Sequence, residues 1–357
     1  MSMVKVGVVG VGAVGRMAHL QSYLEHPDAD IVAIADTNPE NLRQLQQDLE
    51  ERQGHEVAAF ASGEAMSSAV GLDAVSIATP NTAHFKPTMA ALEAGSFVLL
   101  EKPMTVDVAE AEQIVAKAKR AERWVMVGMT HRFRDDARAL QRFVEAGELG
   151  SIYYGEARIL RRRGTPTGWY TDQKISGGGP LMDIGPHALD LGWWMMGCPA
   201  PLRVSGYTTK AIGHDGLDFL DRWKTYTPGN QDNAVYDTED FATALIYFKT
   251  GATLHLTVAW SVNGPQDSGL KVNVYGSQGG LSLDPPTVFS ARHQVFTDTH
   301  VPLTARNYYK EEFGHFIRCI MTGQEPTVLA ESGLTVVRML SAIKESAQSG
   351  KDVILGD

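Results

Sequence analysis

Cysteine is scarce: two in 357 residues, Cys198 and Cys319, too few for a disulfide framework or a cysteine-built zinc site. Long apolar runs are missing as well. None reaches the roughly 18 residues of a membrane-spanning helix, so no membrane partner is expected. Positive charge is in deficit. Lys and Arg number 32 against 42 Asp and Glu, a formal net charge of −10, which argues against nucleic acid or an acidic membrane surface as partner. The start, Met1 to Gly7, carries one Lys and lacks the basic n-region and longer apolar stretch of a signal peptide. Together these absences predict a cytoplasmic protein. Repeats, low-complexity tracts and an obvious linker are absent too, so the two domains that this length suggests are expected to share an interface. The remainder is ordinary for a globular chain, with 43% hydrophobic and 21% charged residues.

The amino-terminal half alternates short apolar runs with helical stretches. Val4 to Val9 reads as a strand buried on both faces, and it runs into Gly10-Val11-Gly12-Ala13-Val14-Gly15. A helix to about Glu25 follows, then a second buried strand, Ile31 to Ala35, ending at Asp36. This is a dinucleotide fingerprint with its strand–turn–helix–strand context intact. Gly10 permits the tight turn, Gly12 lets the backbone approach a pyrophosphate over the helix N-terminus, and Gly15 allows close helix–strand packing. Asp36, roughly 20 residues further on, is placed to accept hydrogen bonds from ribose hydroxyls and to repel a 2′-phosphate. No Arg follows it in Thr37-Asn38-Pro39, so NAD is expected rather than NADP.

The alternation continues through four more predicted strands, Val57–Ala59, Asp73–Ala78, Phe97–Leu100 and Trp124–Val127. In a parallel sheet the carboxyl ends of such strands line the ligand crevice. Two ends stand out: Thr79-Pro80-Asn81 with His84, and Glu101-Lys102-Pro103. A Lys at that position projects into the crevice or snorkels to solvent. His84 reads as a cofactor contact or as a helix-capping histidine.

Further on, Gly177-Gly178-Gly179-Pro180 leads into an apolar segment ending in Trp193-Trp194-Met195-Met196. Asp183, His187 and Asp190 sit within it at i, i+4 and i+7, the spacing that stacks side chains on one helix face. A buried structural Asp–His pair and a catalytic pair both explain that spacing. Pro186 is tolerated only in a first turn, so the helix is expected to begin near Asp183–Gly185. Strands are predicted at Ile152–Ile159, Leu202–Ile212, Phe241–Phe248, Ala252–Trp260, Leu270–Tyr275 and Gly280–Leu283. Helices are predicted at Asp135–Ala146, Tyr309–Met321 and Glu331–Gln348. Arg161-Arg162-Arg163 reads as a solvated strand end or an anion-binding patch, and Asn263–Ser268 as a polar loop.

The fingerprint, Asp36, Ala78-Thr79-Pro80-Asn81 with His84, Glu101-Lys102-Pro103, Gly128 through Arg132-Phe133, and Gly177–Asp190 occur in one order. Together they closely resemble the glucose–fructose oxidoreductase/inositol dehydrogenase/MocA (Gfo/Idh/MocA) family over essentially the full length. The resemblance implies an α/β fold. An N-terminal Rossmann domain, a doubly wound parallel sheet, would occupy residues 1–127. A C-terminal α/β domain with a large, mostly antiparallel open sheet would occupy 128–357, its last helix returning to the first domain. That sheet would pack against a neighbouring subunit in a homodimer or homotetramer.

The resemblance also implies an activity: NAD-dependent oxidation of a secondary alcohol on a sugar, glycoside or cyclitol, with Lys102, Asp183 and His187 catalytic. His187 suits the base, since imidazole titrates near neutral pH. Asp183 would orient its ring or bind a neighbouring hydroxyl, and Lys102 would stabilise alkoxide charge. Cofactor contacts are expected from Gly10, Gly12, Ala13, Val14, Asp36 and Thr37 in the first strand–helix unit. More are expected from Thr79, Asn81, His84, Glu101, Lys102 and Arg132. Substrate contacts are expected from Lys102, His131, Trp169, Asp183 and His187, while Asp190 reads as structural. Relatives of this kind also include NAD-assisted glycoside-cleaving enzymes and non-enzymatic NAD-sensing regulators. A metal held by His84, His131, Asp183 and His187 matches no standard spacing, and none is expected.

Overall fold

The computed structural model describes residues 3–166, 168–213, 235–264, 269–302 and 306–356. Six strands form the first sheet: β1 (Val4–Val9), β2 (Ala29–Ala35), β3 (Ala58–Phe60), β4 (Ala74–Ile77), β5 (Phe97–Leu100) and β6 (Val125–Val127). All pairs are parallel, in the order β3-β2-β1-β4-β5-β6. Helices cover both faces, which is why β4 and β6 are apolar and buried at nearly every position rather than alternating. The strand order reverses between β1 and β4. There the carboxyl ends diverge and open a crevice.

The second sheet has nine strands: β7 (Ile152–Leu160), β8 (Pro201–Thr209), β9 (Phe241–Phe248), β10 (Thr253–Ala259), β11 (Gly269–Gly276), β12 (Gly279–Leu283), β13 (Pro286–Arg292), β14 (Val295–His300) and β15 (Val353–Ile354). Their order is β14-β13-β12-β11-β7-β10-β9-β8-β15, antiparallel except where β10 runs parallel to β7. Burial alternates along β9, as expected for a sheet with one covered face. The helices Gly185–Met195 and Ala330–Ser349 cover that face. The opposite face carries Tyr207 and Tyr275, both exposed.

Strands β13 and β14 and the short β15 were not expected. The β13–β14 turn uses His293 and Gln294, both at positive φ (52° and 65°), instead of the Asn-Gly or Asp-Gly that announces a hairpin. The strand predicted to reach Ile212 stops at Thr209, where the buried Asp240 carboxylate takes the N–H groups of Ala211, Ile212 and Gly213. The polar loop at Asn263–Ser268 lies partly outside the described residues.

The helix Ala330–Ser349 joins the two layers. Just before it, the Val127 N–H donates to the Val328 carbonyl; within it, Gly333 lies so close to Val127 that a Cβ would sit 2.7 Å from a valine methyl. No helix among the described residues is long and apolar enough to cross a membrane.

Candidate functional site

The crevice begins at the β1 turn. Gly10 adopts φ +84°, and a Cβ there would meet the Ala78 carbonyl and the Thr79 nitrogen at 2.7 Å. A Cβ at Gly15 would stand 2.0 Å from the Gly10 oxygen. At Gly12, by contrast, a Cβ would meet nothing within 4 Å, so backbone alone faces open space. A cavity of about 940 Å³ starts here, lined by Gly10, Gly12, Ala13, Val14, Asp36, Thr37 and Thr79, with Trp169 and Tyr170 on the opposite wall. Asp36 stands on its rim. One carboxylate oxygen accepts from the Val11 N–H (2.9 Å) and the other from the Asn38 N–H (2.8 Å), which fixes its orientation. Thr79 Oγ1 is buried without a partner among the described residues. Backbone open at Gly12, a fixed carboxylate and an unused hydroxyl are what a dinucleotide needs.

At the end of β5 the Lys102 ammonium donates to the Asp183 carbonyl at 2.8 Å and lies 3.4 Å from Asp183 Oδ1. The other Asp183 oxygen accepts from Trp260 Nε1 at 2.9 Å. His187 meets His131 edge-to-face, with ring centroids 4.8 Å apart, and Tyr308 flanks His131 at 5.7 Å. Nδ1 of both imidazoles is buried without a partner among the described residues. Burial first, then the positive charge of Lys102, holds the His187 pKa well below its usual value. Burial and the positive charges of Arg134 and Lys102 pull His131 down to about 3. Both rings are therefore neutral at physiological pH.

The glycine run positions this group. Glu239 Oε1 accepts from the N–H groups of Gly179 (2.8 Å) and Leu181 (3.2 Å), and a Cβ at Gly179 would fall 1.9 Å from the Glu239 carbonyl oxygen. Pro180–Asp183 forms a single helical turn, and a second helix, Gly185–Met195, starts afresh with Pro186 in its first turn.

Residues 4–129 match the model of an oxidoreductase family with an NAD-binding Rossmann fold, and residues 137–282 match the GFO/IDH/MocA C-terminal domain. The chain belongs to the Gfo/Idh/MocA oxidoreductases. It is 30% identical to D-glucoside 3-dehydrogenase of Escherichia coli (strain K12) over 99% of this chain and 98% of that one. It is 24% identical to myo-inositol 2-dehydrogenase of Thermotoga maritima over 98% of each. A levoglucosan dehydrogenase in complex with NADH and L-sorbose shares the fold, with a TM-score of 0.82 and 22% identity over the full length of both chains.

In this Gfo/Idh/MocA chain several expected contacts do something else. Asp183 makes no hydrogen bond to His187, because the break at Ile184 separates their helices; the shared-face pairing is replaced by Lys102 and Trp260 as partners of Asp183. Arg132 does not face the cofactor crevice. Its guanidinium grips buried Asp190 with two bonds, Nε at 2.8 Å and Nη2 at 2.5 Å. Burial opposes that charge, but Asp190 keeps the Arg132 pKa above its ordinary value. His84 is fully buried away from the cavity, its ring between the Pro103 and Thr79 carbonyls at 2.8 and 2.9 Å. It braces the two strand-end loops against each other. Asn81 Nδ2 donates to the Ser176 carbonyl, tying the first sheet's loop to the glycine-run segment. Glu101 turns back into the first domain, where its carboxylate meets His19.

Sequence reading missed Trp260, Tyr170 and His19 as parts of this region. Trp260 lies 77 positions from the carboxylate it binds. Only its place at the end of a predicted strand hinted at a site role. Ser62, Asn41 and Lys86 also line the cavity, from helix starts that carry no motif.

Proposed function

We propose that this chain is an NAD-dependent dehydrogenase oxidising a secondary alcohol of a sugar, glycoside or cyclitol. One observation carries the reading: an ammonium (Lys102), a carboxylate (Asp183) and a neutral imidazole (His187) gather where the strands of a dinucleotide crevice end. The relatives named for glucoside and inositol oxidation support the substrate class. A nicotinamide bound in the crevice would supply the acceptor for the carbinol hydride. His187, unprotonated at neutral pH, receives the hydroxyl proton. Lys102 stabilises the developing alkoxide, and Asp183 holds Lys102 in place while keeping a lone pair for a neighbouring hydroxyl. His131 and Trp169 shape the substrate end of the pocket.

NAD is favoured because the Asp36 carboxylate, locked by two backbone N–H groups, repels a 2′-phosphate. The protein works in the cytoplasm as a homodimer or homotetramer through its uncovered sheet face. A spectrophotometric NADH screen over polyols, cyclitols, aldoses and glycosides tests the reading. Turnover on at least one class, with NAD preferred over NADP, is expected. Release of an aglycone without net NADH would instead identify NAD-assisted glycoside cleavage, and no turnover anywhere would point to a regulator.

A further inference from the structure

Behind the strand end lies a buried polar chain that none of the motif residues except Glu101 belongs to. His19, completely buried, sits in the wide π-type turn Gly15–Leu20 that begins at the last glycine of the fingerprint. Its Nδ1 is 2.7 Å from Ser76 Oγ and its Nε2 is 3.0 Å from Glu101 Oε1. Tyr23 donates its hydroxyl proton to the same Ser76 oxygen at 3.0 Å. Glu101 Oε2 accepts from the Lys102 N–H at 3.1 Å.

Donor and acceptor counts order this chain. The Glu101 carboxylate can only accept, so the proton of the neutral His19 ring stands on Nε2, aimed at it; Nδ1 then accepts from Ser76, whose oxygen accepts from Tyr23. Every proton then points towards one carboxylate, and successive bonds in such a chain polarise one another. That carboxylate holds the backbone of the residue whose ammonium reaches Asp183.

We infer that His19 is a positioning residue for the reaction: by its hydrogen bond to Glu101 it holds the carboxylate that fixes the Lys102 backbone, so that the ammonium stays in place. The inference rests on the reading of Lys102 as catalytic. The groups facing Glu101 come from every side: His19 on the fingerprint helix, His84 after β4, Lys102 beside it, and Tyr309 and Glu312 on the helix Tyr308–Thr322. Tyr170 faces it from the second domain. Burial raises the Glu101 pKa, but the hydrogen bond from His19, with the nearby Lys102 charge, outweighs it and leaves the net shift downward. Glu312 is raised well above the usual carboxyl range, first by burial and then by Glu101, so it stays neutral and adds no second anion.

The test compares His19→Leu, His19→Gln and Glu101→Gln in the full chain, each alone and His19→Leu also combined with Glu101→Gln. In His19→Leu, kcat should fall by at least about tenfold while the Kd for NADH stays within about threefold. Glu101, having lost its donor, should take up a proton at higher pH, moving the acid limb of the kcat profile upward by about one unit or more. His19→Gln, which can still donate to Glu101, should recover most of kcat. His19→Leu should cost much less in the Glu101→Gln background, the signature of one unit. An unmoved acid limb, equal losses in the Gln and Leu variants, or full additivity with Glu101→Gln would overturn the inference. Should His19→Leu not fold, the single His19→Gln and Glu101→Gln variants still decide: wild-type pH profiles in both sink it. Lys102→Ala separates the two claims, since retained turnover there defeats the reading of Lys102 and not the His19–Glu101 coupling.

Discussion

His187 and His131 sit edge-to-face with their Nδ1 atoms unpartnered, and that costs the protein stability in acid. For His131 the folded pKa is about 3, against about 6.5 for an unperturbed imidazole. Between those values the unfolded chain binds the extra proton, so the stability is fully present above about pH 6.5 and drains away as pH falls. The slope is at most about 1.4 kcal/mol per pH unit for one such site. Urea melts from pH 7 to 4 should therefore show a flatter decline in His131→Phe than in the parent. Within the site, His187→Ala and Lys102→Ala should each lower turnover by at least about a hundredfold with NADH binding retained. Near-parental turnover in either would remove the roles given to them. That Lys102, Asp183 and His187 lie in one region was legible because they fall in short motifs whose spacing carries a meaning. Arg132 and His84 were misread for the opposite reason: whether an Arg or His faces a ligand or a partner depends on residues 58 and 19 positions away, Asp190 and Pro103.

At the scale of elements, the strands of the first sheet announced themselves as short apolar runs, and all six were legible. The second sheet was legible only where one face is covered. Along β14 five of six residues are exposed, so no alternation marks it, and its turn lacks the usual residues. The Gly177–Asp190 segment shows how a local rule redirected a reading. Its i, i+4 spacing suggested one face of one helix, yet Pro186 belongs in a first turn, and the chain obeys Pro186 by making two helices. Gly179 is the pivot of that arrangement. Gly179→Ala would force a methyl into the Glu239 carbonyl, and overpacking of this kind costs roughly 1–3 kcal/mol or more. Since the strain falls four residues before Asp183, the variant should lose turnover while keeping its affinity for NADH. Equal loss of both in a folded variant would mean that the glycine run serves the whole interface and not the site.

The whole molecule is held together by contacts that cross between its two sheets. Asn81 and Thr82, at the end of β4, donate to the carbonyls of Ser176 and Ile175, and Lys344 donates to the next carbonyl, Gly177. The helix carrying Lys344 packs Gly333 against Val127 and Met104 of the first domain and lies along β8 of the second. Three donors from two distant parts of the chain thus grip the three residues that lead into Asp183. Loss of either sheet would release the grip on the other, so unfolding should be one cooperative transition despite the two sheets. A ligand held mainly by the first domain then stabilises everything. With NADH at about 100 times its Kd, mass action adds about 2.7 kcal/mol, a rise in Tm of roughly 3–8 °C. Asp36→Ala should lose most of that rise, because weaker binding lowers the same logarithm. Calorimetry with and without NADH checks the coupling directly: one peak that moves as a whole is expected. Two peaks, of which only one responds to NADH, would mean that the carbonyl grip at residues 175–177 does not couple the sheets.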